Sequence, residues 1–245
     1  MTIVTAWNIR QGGGDRVHRI VQSLVKLGTD IAILSEWRAT SPNDIIGHLR
    51  SAGYAHCLER PDPDGGYAAV LVVSRVPIVP GENSYDDDGD GHRFVEFRIT
   101  DTDHLIAGVL IPGHEPENDR KQRFWRYLVE QWAPTVSGSP ALLCGDFNTG
   151  LHYRDELGAT FECAEQLEAM YHAGWRDAWI ERNQKSRPPA TWFSPKYDNP
   201  FRLDHALLSP MSKRARHVNY PEGVSGQQVL GAHGLSDHRP IVITL

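Results

Sequence analysis

Ala141-Leu142-Leu143-Cys144-Gly145-Asp146-Phe147-Asn148-Thr149-Gly150 is a short apolar run that ends in a glycine, followed by a carboxylate and a carboxamide two residues apart. The apolar part reads as a buried strand. Residues i and i+2 of an extended segment face the same side, so Asp146 and Asn148 address one small site. The first is a base or metal ligand and the second a neutral donor and acceptor. The bland alternative is a strand end carrying turn-forming Asp and Asn. The rest of the chain decides between them.

On the N-terminal side, Thr2 to Ile9 reads as a buried strand ending at Trp7-Asn8, followed by a Gly12-Gly13-Gly14 loop. Val17, Ile20, Val21, Leu24 and Val25 recur at helical spacing, with Asp15 as N-cap and Gly28 as stop. Asp30 to Ser35 is a second buried strand with Glu36 at its end. Ser41-Pro42 opens a helix that Gly53 stops, and Tyr54 to Leu58 is a strand. Pro61 to Gly66 is a polar turn and Tyr67 to Ser74 an apolar strand. Glu82 to Gly91 holds four aspartates among glycines and reads as a mobile surface loop. Arg93 to Thr100 and Leu105 to Ile111 form a hairpin about Asp101-Thr102-Asp103. Asn118 to Trp132 is an amphipathic helix with Phe124, Tyr127, Leu128 and Trp132 on one face.

Beyond Gly150, Phe161 to Ala173 is helical and Trp175 to Ile180 a short turn. Lys185 to Pro189 is a loop. Arg202 to Ser209, Ala215 to Tyr220 and Pro240 to Leu245 are strands. Strands predominate, and several pair as hairpins. This is a mixed α/β (α+β) chain, and two packed sheets covered outside by helices satisfy it. No repeat or low-complexity linker divides its 245 residues, so 1–245 reads as a single domain.

The net charge of −6 argues against a protein that coats nucleic acid non-specifically, but not against an acidic pocket holding cations. Cys57, Cys144 and Cys163 are an odd set without metal spacing and read as reduced thiols. The chain begins without a secretory signal pattern, and no apolar stretch is long enough for a membrane span. A cytoplasmic monomer is expected.

Several strands end in residues suited to phosphate or metal chemistry: Asn8, Glu36, Asp146 with Asn148, and Asp204. Ser236-Asp237-His238 directly precedes the last strand. Any one of these is ordinary for a turn. Together they describe a set of strand ends that can converge along one edge. Carboxylate and amide oxygens without cysteine suit a hard cation such as Mg²⁺, with Glu36 the best single ligand. His238 suits proton transfer or charge stabilisation, oriented by Asp204 or Asp237.

With these motifs assembled, the chain resembles the endonuclease/exonuclease/phosphatase superfamily. The resemblance runs in order through W-N-I at 7–9, Glu36, G-Y-A-A-V-L-V-V-S-R at 66–75, G-D-F-N at 145–148, R-L-D-H at 202–205 and S-D-H-R-P at 236–240. It implies a four-layer sandwich of two packed mixed sheets flanked by helices. It also implies hydrolysis of phosphate esters with a divalent metal, Mg²⁺ or Mn²⁺. By position, Glu36 is the implied principal metal ligand, with Asn8 beside it and Asp237 as an additional metal-side carboxylate. Asp146 is implied to orient or deprotonate the attacking water, and Asn148 to contact phosphate. His238 is implied to contact the scissile phosphate with Asp204 as its partner. The sequence departs from the family where a His or Tyr is usual before the central helix: alignment offers Leu110 or His114, and His114 is preferred because Leu donates nothing. Ser35 stands where a Gln often precedes the metal-binding Glu.

Thr191-Trp192 with Phe201-Arg202-Leu203-Asp204 is similar to the exonuclease III-type DNA-repair branch, and the P-A-W-x-D-R stretch of inositol-phosphate phosphatases is absent. DNA is therefore the expected substrate, cut as an apurinic-site endonuclease or exonuclease would cut it. RNA, a nucleotide, or a lipid or inositol phosphate is the alternative, and a non-catalytic phosphate-binding member a minor one. Trp192, Phe193 and Trp179 are candidate base contacts. Lys213, Arg214, Arg216 and His217 form one basic cluster, read first as a solvated face.

Overall fold

The structure, a computed structural model, describes residues 1–60, 68–87, 89–102, 104–115, 119–184, 186–224, 226–231 and 234–245. The expected turn at 61–66 lies outside the described residues, as do Tyr67, Asp103, Asn118 and Lys185 at the edges of other expected elements. The first part of the chain forms β1 (Ile3–Asn8), α1 (Val17–Lys26), β2 (Ile31–Trp37), α2 (Ile45–Ser51), β3 (His56–Glu59), β4 (Ala69–Ser74), β5 (Ile78–Pro80), β6 (Phe94–Ile99) and β7 (Leu105–Leu110). The middle forms α3 (Arg120–Tyr127), α4 (Ala133–Val136), β8 (Ala141–Asp146), α5 (Ala164–His172), β9 (Arg176–Asp177) and α6 (Ala178–Arg182). The last part forms β10 (Trp192–Phe193), β11 (Pro200–Phe201), β12 (Asp204–Leu208), β13 (His217–Asn219), β14 (Gly223–Val224), β15 (Gln227–Gln228) and β16 (Ile241–Thr244).

Two mixed six-stranded sheets result, in the orders β13-β16-β1-β2-β4-β3 and β5-β6-β7-β8-β12-β9. Each has a parallel pair near its centre, β1 with β2 and β7 with β8, and is antiparallel elsewhere. Alternation along the strands sorts their side chains into three apolar layers. Val4, Ala6, Ile33 and Val72 of the first sheet meet Phe97, Ile106, Leu142 and Ala206 of the second. On the other face of the first sheet, Leu34 and Leu71 pack with Ile20, Leu24 and Leu49 of α1 and α2. On the other face of the second, Val109 and Leu143 pack with Phe124, Leu128 and Leu167 from the central helical stretch and α5. The expected α/β sandwich of four layers is what the chain forms.

Several local expectations change. The first helix is not capped by Asp15: 11–16 coil into a tight 3₁₀ turn, and α1 starts at Val17 after Arg16, which makes no side-chain cap. The second helix opens at Ile45, where the Asp44 carboxylate accepts the Gly47 N–H, rather than at Ser41-Pro42. The central helix is interrupted by a π-turn at Leu128–Trp132. The turn expected at Trp175 to Ile180 contains β9 and the start of α6. The segment 82–91, expected as a mobile surface loop, is anchored at two of its described residues. Tyr85 is buried against Phe124, and Asp90 is buried between Arg93 and Arg120. An aromatic ring and an ion pair hold this acidic segment down, and a count of aliphatic residues overlooks both.

Candidate active site

The two sheets stack so that the C-terminal ends of β1, β2 and β8 lie together, and the chain returns twice to this edge. Asp146 at the end of β8 pairs with Asp204 at the start of antiparallel β12. Asn8 at the end of β1 pairs with Ser35 in parallel β2. The last approach, Ser236-Asp237-His238, is stitched to the first strand. Ser236 Oγ donates to the Asn8 carbonyl at 2.6 Å, and the Trp7 indole donates to the His238 carbonyl at 3.0 Å. His238 thus hangs from the first sheet and reaches the second, where its Nδ1–H donates to Asp204 Oδ2 at 2.9 Å.

Asn8 makes a second crossing in the same direction, from the first sheet to the second. Its amide nitrogen donates to Glu36 Oε1 at 3.0 Å and to Asp146 Oδ2 at 2.9 Å, drawing two carboxylates to one atom. Its Oδ1 accepts the Arg10 N–H. Glu36 sits inside β2, where the register against β4 shifts between Leu34 and Trp37, with φ 60. A bulge and a left-handed backbone aim a side chain that regular alternation would place elsewhere. The other Glu36 oxygen accepts the Gln11 N–H at 2.7 Å. Asn148 also has a left-handed backbone, φ 49; its N–H returns to Asp146 Oδ1 and its side-chain amide donates to the Ile111 carbonyl.

These groups border a cavity of ≈ 450 Å³ whose lining includes Glu36, Asp146, Asn148, Asp237 and His238. His114 also borders it, exposed at the rim, with its Nδ1 2.8 Å from Glu162 Oε2. Leu110, the other alignment choice, is buried in the core between the sheets. Aromatic rings wall one side: Phe161 and Phe201 have centroids 5.5 Å apart, Trp192 and Phe201 5.8 Å, and Trp192 and His238 6.5 Å. Trp179, a candidate base contact from sequence, lies instead in the core between the sheets.

Lys121 was not singled out by motif. It is buried, borders the cavity, and its Nζ donates to the Asn148 carbonyl at 2.7 Å. Its signal was in the sequence: 121, 124, 125 and 128 share one helical face, so Lys121 is a cation on the apolar stripe. Thr191 was also missed as a positioning group. Its hydroxyl accepts the N–H groups of Leu203 and Asp204 at 2.9 and 3.2 Å. Two sequence candidates lie elsewhere. Arg202 is fully buried among Asp155, Asp177 and the Tyr220 hydroxyl. The basic cluster at 213–217 is exposed at the far end of the first sheet, where His217 pairs with Thr244.

The electrostatics follow from burial. Desolvation pushes the Asp146 carboxyl up, joined by the Asp204 charge and opposed by His238 and the Asn8 amide. For His238, desolvation lowers the pKa. Asp204 first and Asp146 next outweigh it, so the imidazole is pushed up to about 10. Burial lowers Lys121. Oxygen atoms of Asp146 and Asp204 and a nitrogen of His238 all lie within 4.8 Å of one another, and the Nδ1 of His238 is taken up by Asp204. The oxygen donors facing the cavity on the Glu36 side are the set that suits a hard cation.

A family model described as the Endonuclease/Exonuclease/phosphatase family matches residues 5–238. No curated protein matches the sequence. Among solved structures, an AP endonuclease from Archaeoglobus fulgidus superposes with a TM-score of 0.80 at 16% identity, covering 100% of this chain and 99% of that one. A 3′ phosphatase from Neisseria bound to a product DNA hairpin gives 0.79 at 18%, covering 100% and 99%. A 3′-5′ exonuclease from Neisseria meningitidis gives 0.78 at 19%, with the same coverage. At such identities the superpositions establish the fold. The match over nearly the whole chain establishes more: this protein belongs to the endonuclease/exonuclease/phosphatase family and is a phosphate-ester hydrolase.

Proposed function

We propose that residues 1–245 form one catalytic domain that hydrolyses phosphodiester bonds in DNA with Mg²⁺ or Mn²⁺, as an endonuclease or exonuclease of the abasic-site repair type. The observation that carries this reading is the cavity itself. A His–Asp pair, a carboxylate pair bridged by Asn8 and an aromatic wall share one space. The donor set is oxygen without thiolate, which fits a hard divalent cation. Glu36, with Asp237 and Asn8, would hold it, and when bound it neutralises charge on the phosphate oxygens.

The residues divide the remaining work. Asp146, raised by burial, takes the proton of the attacking water. The His238 imidazolium, held by Asp204, faces the charge that develops on phosphate. The Asn148 side-chain amide donates one N–H to the Ile111 carbonyl and keeps the other for a phosphate oxygen. His114 at the rim serves the leaving group. Trp192, Phe201 and Phe161 offer faces to sugar or base. Solved proteins of this fold include an AP endonuclease and a DNA-bound 3′ phosphatase, which supports DNA as the polymer. The distance of the basic cluster from the cavity favours the second reading, a small phosphodiester such as a nucleotide or a lipid or inositol phosphate.

The test is a substrate panel with Mg²⁺ or Mn²⁺, with and without chelator: plasmid, abasic duplex, RNA, and lipid and inositol phosphates. Abasic duplex should be cut fastest, and only without chelator. No cleavage of DNA would leave the small-substrate reading. Calorimetric titration of the metal should show weaker affinity in Glu36→Gln, which keeps shape and loses charge. Unchanged affinity removes Glu36 from the metal site.

A further inference from the structure

Arg239 has no part in the chemistry above, yet the fold places it with care. Its N–H donates to the Thr191 carbonyl at 2.8 Å, so 238–239 runs beside the start of the β10–β11 ribbon. Trp192 and His238 face the catalytic cavity, with ring centroids 6.5 Å apart. Their chain neighbours Phe193 and Arg239 border a second cavity of ≈ 630 Å³. Alternation explains the division: in the ribbon Trp192 pairs with Phe201 and both border the catalytic cavity, while Phe193 projects from the opposite face. The 192–193 and 238–239 segments each give one residue to either cavity and so form a partition between them.

The second cavity has a cation on its lining. The Arg239 side chain is 11% exposed, and its Nε is buried without a hydrogen-bond partner among the described residues. The charge opposite it is Glu222 at 3.6 Å, and that side chain is 86% exposed. Asp198, the other acid on the lining, is also exposed. Water and salt screen exposed carboxylates, whereas a half-desolvated guanidinium keeps its field. Burial indeed disfavours this charge, lowering the Arg239 pKa. Its empty Nε–H and planar fork match a phosphate oxygen. Phe193, 37% exposed, supplies a ring face, and the amides of Gln227 and Gln228 supply donors and acceptors on the same lining.

We propose that this cavity is a subsite for a nucleotide flanking the scissile one, with Arg239 on its phosphate and Phe193 against its base. The proposal rests on the reading of the substrate as a nucleic acid. A strand lying across the partition would engage the catalytic cavity and the second cavity at once. A small diester would engage only the first.

The experiment compares KM for an abasic duplex with KM for bis(p-nitrophenyl) phosphate, in wild type, Arg239→Gln and Arg239→Lys. Loss of one charge-assisted hydrogen bond should raise the duplex-to-diester KM ratio about tenfold in Arg239→Gln. The salt dependence of duplex binding should shallow by about one phosphate contact. Arg239→Lys keeps the charge and should recover part of both. An unchanged ratio overturns the subsite while the DNA reading stands. An equal rise on both substrates also overturns it, since Arg239 would then act by holding His238. A wild type that cleaves the diester but no nucleic acid overturns the DNA reading and the subsite with it.

Discussion

At His238 two opposing forces meet. Burial disfavours the charged ring, and the carboxylates of Asp204 and Asp146 restore it, with the Nδ1–H bonded to Asp204 at 2.9 Å. The pair should therefore behave as one unit. His238→Ala is expected to lose two orders of magnitude or more in single-turnover rate. Asp204→Asn should lose much of the same, and the double variant little more than the worse single. Fully multiplicative losses would sink the pairing. The sign of the pH effect is also set. A ring raised to about 10 stays protonated through neutral pH, so kcat should hold on the alkaline side until the ring titrates. Asp204→Asn removes the main raising charge and should move that limb to lower pH. A limb that does not move would show that Asp204 does not hold the proton.

At the scale of elements, β8 delivers Asp146 only because the residue before it is glycine. Gly145 has φ 143 and sits opposite Val109 of parallel β7. A Cβ there would lie 2.1 Å from the Val109 carbonyl oxygen, and backbone cannot give as a side chain can. Gly145→Ala should cost roughly 1–3 kcal/mol of stability, by the overpacking range, and displace Asp146 as well. Chemical denaturation reads the first effect and turnover under folding conditions the second. Wild-type stability and rate together would show that the strand end tolerates a side chain. The apolar runs, the glycine stops and the alternating hairpin made most elements legible. The Glu36 bulge was not, because it depends on the register between β2 and β4 rather than on any residue's own preference.

Across the whole molecule, Arg202 joins parts far apart in the chain. It is buried between Asp155 and Asp177 and donates to the Tyr220 hydroxyl, which in turn donates to the Asp204 carbonyl. Burial raises both carboxyls, but Arg202, foremost among several partners that include His205 and backbone N–H groups, offsets this, and both are held below the usual carboxylate range. A depressed folded pKa contributes stability that is fully present above the unfolded value, about 3.9 for Asp, and is lost as pH falls from there through the lower folded value. Arg202→Met strands two buried carboxylates and should cost about 3–5 kcal/mol near pH 7. The gap from wild type should narrow toward pH 3, as the carboxyls take protons. A gap constant with pH, in urea titrations at both values, would refute a charge-based role.

The amino-acid sequence alone determined the strand ends at which Asn8, Asp146 and Asp204 stand, and the alternation that builds two sheets with helices outside. Those are local matters, set by periodicity, turn chemistry and side-chain type. Only the tertiary structure decided that Asn8 of one sheet would bridge to Asp146 of the other, and that His238 would make a parallel crossing to Asp204. It also buried Arg202 away from the cavity and left Lys121 beside it. The reason is that these outcomes depend on how two sheets stack, and stacking is fixed by the summed packing of apolar faces remote in sequence. Position along the chain names the groups available; the register and packing of the sheets determine which of them meet.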